Sequence, residues 1–314
     1  MPLIVVAGPT ASGKSYLAIQ LALEFDGEVV NCDSLQLYRG FDIGTAKPPP
    51  EELALVPHHL IDVLDPSQES NAGHWARMAA ASVNQITGRG RLPVIAGGTG
   101  FYVRALLEGL APGPERDPAL RTRLASREER RPGFLHRLLR HLDPATAARI
   151  HPNDLNKLTR AAEICIVARS PASEVFASRR AALEGYRALK LVLNPPREAL
   201  CRAIGSRTEA MWRGGLPEEV RRLLDAGVPP EAKPFESLGY KEALACIQGR
   251  MSRERAIELT IIGTRQYAKR QITWFRRESG VCWLDGFGSA GQTGLAARAL
   301  VTTFLNEFTS MKVR

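Results

Sequence analysis

No apolar run in the 314 residues approaches the ~20 that a membrane-spanning helix needs, so no membrane association is expected. The chain also lacks any CxxC pair or Cys/His cluster. Its five cysteines (Cys32, Cys165, Cys201, Cys246, Cys282) are odd in number and widely scattered, which argues against a disulfide framework and a structural zinc site. A reduced, cytoplasmic protein is expected. The opening run at residues 3–7 stops at Gly8-Pro9 without a charged n-region or a cleavage site, so it does not read as a signal peptide. Internal repeats and low-complexity tracts are missing as well. With 44% hydrophobic and 24% charged residues, the composition is that of a globular protein, not of a disordered or collagen-like one. Chains of this length bury a large core and tend toward two domains.

What is present is an uneven charge. Residues 1–110 hold 7 basic and 11 acidic side chains, a net of −4, whereas residues 111–314 hold 35 and 22, a net of +13. Of those 35 cations, 29 are arginine. A basic excess confined to one part of a chain suggests a polyanion partner there, the alternative being a surface that merely favours arginine.

The first hundred residues alternate strand and helix patterns. Short apolar runs at 3–7, 28–31, 59–63 and 92–96 read as strands, and 15–25 and 72–87 have helical periodicity. Strands separated by helices imply a parallel sheet covered on both faces. Around Ala111-Pro112-Gly113-Pro114 the texture becomes helical and arginine-rich, with breaks at Pro132-Gly133 and Pro144. Strand signals return at 189–193 and 281–284. Residues 115–187 therefore read as a helical insertion into an α/β core made of 1–114 and 188–314.

Gly8, Pro9, Thr10, Ala11, Ser12, Gly13, Lys14 and Ser15 fit the phosphate-loop pattern G-x-x-x-x-G-K-[ST]. The glycines let successive backbone N–H groups point inward at phosphate oxygens, and the following helix adds its positive end. Lys14 would reach the terminal phosphate, and the Ser15 hydroxyl offers a Mg²⁺ position. The pattern follows an apolar strand and precedes a helix, which is the context it requires. It says that a phosphate chain binds, not that a phosphoryl group moves.

Ligands in open α/β sheets bind at the carboxyl ends of strands, so the loops there come next. Asp33 succeeds the 28–31 run, where a carboxylate could bind Mg²⁺, act as a general base or cap the next helix. Gly97-Gly98-Thr99-Gly100 succeeds the 92–96 run, where the glycines either admit a ligand or make a tight turn. His58-His59 looks like a metal pair, but neighbours on a strand face opposite sides, which favours a structural role. Lys47, beside prolines, reads as a solvated charge unless its loop folds over the phosphate.

Together GPTASGKS at 8–15, DSLQLYRGFDIGTAKP at 33–48, HHLID at 58–62 and GGTGFY at 97–102 resemble the bacterial tRNA dimethylallyltransferases, also called tRNA isopentenyltransferases. The likeness continues in HPNDLNKLTRAAE at 151–163, SLGYKEA at 237–243 and TRQYAKRQITWFR at 264–276, and so spans nearly the whole chain in order. The resemblance implies a P-loop kinase-like core and a prenyl transfer. Dimethylallyl diphosphate would donate its dimethylallyl group to N6 of the adenosine 3′ of the anticodon, in tRNAs reading codons that begin with U. It implies further that the loop holds the donor's diphosphate rather than ATP, and that the helical insertion grips the anticodon stem-loop. A monomer is expected.

The same resemblance makes Asp33 the general base, places Thr99 beside donor and target base, and puts Arg121 at the reaction channel. Asp33, Ser34, Leu35 and Gln36 match the segment contacting the target nucleotide. Asn156, Lys157, Leu158, Thr159 and Arg160 match a tRNA-contacting segment. A second comprises Glu236, Ser237, Leu238, Gly239, Tyr240 and Lys241, and a third Lys269, Arg270, Gln271, Ile272, Thr273, Trp274, Phe275 and Arg276. Asn156-Lys157 departs from the common Gln-Arg: Lys157 keeps the charge but not the bidentate fork.

The chemistry is coherent with these residue types. A departing diphosphate needs its charge neutralised, which N–H groups, Lys14, Mg²⁺ and an arginine supply. The adenine amine is a weak nucleophile, and a carboxylate that removes its proton answers that weakness. Rival readings are a P-loop kinase, a transferase acting on free adenine nucleotides, and a non-catalytic RNA-binding protein. None of them accounts for the DSLQLYRG block, the basic region and the intact Lys14, Asp33 and Thr99 together.

Overall fold

Five of the six apolar runs form parallel strands in the computed structural model, which describes residues 1–111, 113–177 and 182–312, with side chains through residue 308. Pro112 of the expected boundary and residues 178–181 of the expected insertion lie outside the described residues. The strands are β1 (Pro2–Ala7), β2 (Gly27–Asn31), β3 (His58–His59), β4 (Leu92–Gly97), β5 (Arg187–Asn194) and β6 (Val281–Asp285). They make one sheet in the order β3-β2-β4-β1-β5-β6, parallel throughout.

The third run is corrected. Only His58 and His59 pair with β2, because Leu60 (φ 62°) and Asp62 (φ 55°) turn into the left-handed region and leave the extended path. The histidines are structural. His58 Nδ1 lies 2.8 Å from the Val56 carbonyl oxygen, and His59 Nε2 lies 2.6 Å from Oε2 of the buried Glu28.

Leu17, Leu21, Ala18 and Ala22 share the apolar stripe of the helix Lys14–Glu24, which packs on Ile4, Val6, Val94 and Leu191 of the sheet. The helix Gly291–Lys312 adds Ala297, Val301 and Phe304 to the same core. From the helix Ala72–Gly88, Trp75 is fully buried. Its indole N–H donates to the Asn31 carbonyl at the end of β2, and its ring stacks on Tyr102 at 5.0 Å.

The chain divides into two compact units, Met1–Leu106 with Leu183–Arg314, and Leu107–Ala182. The second is all helix among the described residues, and local sequence explains its breaks. Asp117-Pro118 and Asp143-Pro144 each place an N-cap carboxylate before a proline at the first helical position, starting Pro118–Arg130 and Pro144–Arg149. Asp154 caps Leu155–Ala168 in the same way. Leu124, Leu135, Leu139, Leu158 and Ile164 form this unit's own core. Among the described residues no helix is long and apolar enough to cross a membrane.

Candidate active site

Strand register assembles the site. Ala7 of β1 lies opposite Gly97 of β4, and Asn31 of β2 lies opposite Ala96 of β4. The phosphate loop, the Asp33 segment and the Gly97–Gly100 segment therefore leave the sheet side by side at its carboxyl edge.

Within the phosphate loop Gly13 takes φ 83° directly before the helix Lys14–Glu24, a left-handed turn that glycine adopts at little cost. Lys14 Nζ folds back to the Pro9 carbonyl oxygen at 2.7 Å. Burial pushes the Lys14 ammonium down to about 8. Arg207 adds to that push, and Asp33 opposes it. Arg207, on the helix Arg197–Arg213, brings Nη1 to 3.5 Å from Thr10 Oγ1 and is itself destabilised by burial against the pull of Asp33. Two partly buried cations beside the glycine-rich loop suit an oligo-anion. Ser15 stands in the first helical turn, exposed.

Asp33 uses Oδ1 to accept from Leu35 N at 2.9 Å, so it caps a turn rather than a helix while its carboxylate faces the cavity. Its own N–H donates to Asn31 Oδ1 at 2.9 Å, and Asn31 Nδ2 donates to the Leu60 carbonyl at 2.8 Å. Cys32 beside it is fully buried, and its thiol is pushed well up by that burial, so it stays neutral.

Thr99 opens the helix Gly100–Leu107, its carbonyl accepting from Tyr102 N at 2.8 Å. The glycines flanking it make room for protein, not for ligand. A Cβ at Gly98 would stand 2.1 Å from Gln271 Nε2, and one at Gly100 would stand 2.2 Å from Trp274 Cδ1. Gln271 is buried and spans the two loops: Oε1 accepts from Thr10 N at 2.8 Å, and Nε2 donates to the Gly98 carbonyl at 3.0 Å.

These elements surround a cavity of about 610 Å³. Thr10, Ala11, Asp33, Tyr38, Tyr102, Arg207, Thr208, Lys233 and Glu236 are among the residues that line it. Thr99 is not on its wall, but its neighbour Tyr267 is. Burial, and next Asp33, push the Tyr267 phenol up, so it stays protonated. Arg270 lies over the Tyr267 ring at 5.7 Å.

Phosphate-loop residues and a carboxylate on one cavity wall, with Thr99 set back behind Tyr267, suit a group-transfer site. The profile of the family described as IPP transferase matches residues 36–278. The chain belongs to that family. A second profile, described as isopentenyl transferase, matches residues 1–62. A tRNA dimethylallyltransferase of Solibacter usitatus is 54% identical over 307 residues, covering 98% of this chain and 100% of the relative. One of Koribacter versatilis is 49% identical over 303 residues, covering 96% and 98%. Among solved structures, the tRNA isopentenylpyrophosphate transferase of Bacillus halodurans is 34% identical with a TM-score of 0.74, covering 100% of this chain and 99% of that one. A eukaryotic dimethylallyltransferase acting on tRNA is 30% identical with a TM-score of 0.82, covering 98% of this chain and 79% of the other.

Against the family reading of the three RNA segments, the structure separates surface from interior. Asn156, Lys157, Glu236, Lys241, Lys269, Arg270, Thr273 and Arg276 are exposed. Leu158, Tyr240, Gln271 and Phe275 are buried, so their side chains hold the segments and do not face a partner. Gln36 is also buried, with Nε2 donating to the Thr45 and Ala46 carbonyls. In the helical unit, Arg121 and Arg160 both pair with Oε2 of the fully buried Glu163, at 3.3 and 2.7 Å, and Asp117 N donates to its Oε1.

Three residues escaped the sequence reading: Arg207, Tyr267 and Glu163. Arg207 sits in no motif. Tyr267 and Glu163 lie inside segments matched to the family, but periodicity alone gives neither a role.

On the helix Arg253–Phe275, Gln266, Lys269, Arg270, Thr273 and Trp274 line a second hollow of about 510 Å³ with Arg104 and Arg277. The Arg104 guanidinium covers the Trp274 ring at 4.5 Å.

Proposed function

We propose that this protein transfers the dimethylallyl group from dimethylallyl diphosphate to N6 of the adenosine 3′-adjacent to the anticodon in tRNAs reading codons that begin with U, releasing diphosphate. The observation that carries the reading is that Arg207 and Asp33 line one cavity, with Lys14 close enough to both to feel their charges, so that an anion site stands beside a carboxylate.

The diphosphate lies in the phosphate loop, held by inward N–H groups, Lys14 and Arg207. Ser15 fits Mg²⁺ as one oxygen ligand, because this ion takes few protein ligands and completes its shell with phosphate oxygens and water. When bound, Mg²⁺ neutralises charge on the leaving diphosphate. The target nucleotide is extruded from the anticodon loop into the cavity, at a cost of a few kcal/mol at most for an unpaired base. The N6–C1 bond forms as the C1–O bond breaks; the diphosphate leaves with the electron pair, and Asp33 takes the N6 proton. Thr99, set back from the cavity wall, acts on the site through its neighbour Tyr267, which faces the target base. Tight cationic binding of the departing charge lowers the barrier because it is pre-arranged in a dry site.

The exposed cations Lys157, Lys241, Lys269, Arg270 and Arg276 meet the RNA backbone, with Arg121 and Arg160 presented on Glu163. The helical unit grips the anticodon stem-loop. The protein acts as a monomer in the cytoplasm.

The test is transfer of label from radiolabelled dimethylallyl diphosphate to an anticodon stem-loop RNA, with free AMP and ATP assayed in parallel. Label on the stem-loop alone is the expected result. Label on AMP would assign the protein to free-nucleotide transfer, and ATP turnover without any label would make it a kinase.

A further inference from the structure

The strained stretch behind the Asp33 segment contains a buried ammonium that the chemistry above does not use. Lys47 reads from the sequence as a solvated charge. In the structure its side chain is only 6% exposed, and its three N–H donors meet three acceptors. The ammonium donates to the Tyr38 carbonyl at 2.7 Å, to Asp42 Oδ1 at 2.7 Å and to Asp62 Oδ1. These acceptors belong to three separate stretches of chain: the turn just after Asp33, the loop beyond it, and the segment after β3.

The same stretches are stitched together by the backbone. Asp62 N donates to the Gln36 carbonyl, Leu64 N to the Leu37 carbonyl, and Arg39 N to the Leu64 carbonyl. The Gln36 amide closes the loop through Thr45 and Ala46. Three of the six non-glycine residues with positive φ among the described residues, Ala46, Leu60 and Asp62, sit around this ammonium. Backbone in that region persists only where surrounding contacts hold it there. On the other side of the knot, Asp33, Ser34, Leu35, Tyr38, Gly44 and Thr45 form cavity wall.

We infer that Lys47 is a positioning residue: a three-pronged clasp that fixes the Asp33–Thr45 wall, and with it the target-facing carboxylate, from behind. The inference rests on the role proposed above for Asp33. Both aspartates it holds are about half exposed, so losing the lysine leaves them hydrated rather than buried and unpaired. The phosphate loop, tied instead through Gln271 and Arg207, does not depend on it.

Lys47→Met tests this by single-turnover transfer from dimethylallyl diphosphate to an anticodon stem-loop, alongside calorimetric titration with inorganic diphosphate. The expected result is a transfer rate lower by about tenfold or more with diphosphate affinity kept within about twofold, because misplacing a reacting group damages the chemical step and not the anion site. Transfer at the wild-type rate overturns the inference, and so does a parallel loss of transfer and diphosphate binding. Should Lys47→Met not fold, Asp62→Asn, which removes one prong, is judged by the same two readouts. Asp33→Asn in the same assay separates the two ideas. Retained transfer there removes the role of Asp33 and the clasp's purpose together. Lost transfer there, with normal transfer in Lys47→Met, overturns the clasp alone.

Discussion

Lys14 carries a pH dependence that can be read directly. Its ordinary value is 10.5, and burial beside Arg207 lowers it to about 8. The protonated ammonium is the form that binds diphosphate, so its contribution to affinity should be complete below that value and fall as pH rises through it. The loss should be about tenfold per pH unit beyond about 8, with a proton taken up on binding in that range. Titration with inorganic diphosphate across pH, in buffers of different ionisation enthalpy, measures both. Affinity that stays constant to well above 8 would place the protonated lysine outside diphosphate binding. Arg207 holds its charge over the same range, so the site weakens there but does not vanish.

One element, the helix Arg253–Phe275, serves three purposes on three faces. Ala256, Thr260, Ala268 and Phe275 are buried, Gln271 braces two loops, and Lys269, Arg270 and Thr273 face outward. Removing the brace with Gln271→Ala leaves the Thr10 N–H and the Gly98 carbonyl without their partner, worth about 1–3 kcal/mol for each group denied water. Chemical denaturation should show that loss, and diphosphate affinity should fall with it as the loop slackens; stability and affinity both at wild-type levels would show the brace to be idle. The outward face is tested separately. Lys269→Ala and Arg276→Ala should each weaken stem-loop binding and flatten its dependence on log salt by about one unit for every phosphate no longer neutralised. An unchanged slope would remove these side chains from the RNA interface.

At the scale of the whole molecule, the helical unit has a core of its own, and the sheet unit holds every residue lining the cavity. Leu139 is fully buried in the helical core. Leu139→Ala should cost that unit about 2–5 kcal/mol. Stem-loop binding should then be lost at a temperature where diphosphate binding is retained, as parallel melts with each ligand would show. Simultaneous loss of both would mean that the two units unfold as one.

How much of this was legible in the residues depends on distance along the chain. The strand alternation, the phosphate loop, the break at Pro144 and the position of Asp33 after β2 depend on near neighbours, and local pattern suffices to find them. The early end of β3 did not show, because two left-handed residues, not composition, terminate it. Nor did the interior placement of Tyr240, Phe275 and Gln271, since a motif match marks a segment without saying which of its side chains point inward. Gln271 meets Thr10 across 261 positions, and Arg207 meets it across 197. Lys47 looks like any surface lysine until three distant acceptors close on it. Reaction class and loop chemistry are thus written in short stretches whose geometry is local. The second cation beside the phosphate loop, the brace between loops and the clasp behind the carboxylate came only with the tertiary structure, because burial and long-range hydrogen bonds are properties of the packed chain and have no signature in any single segment.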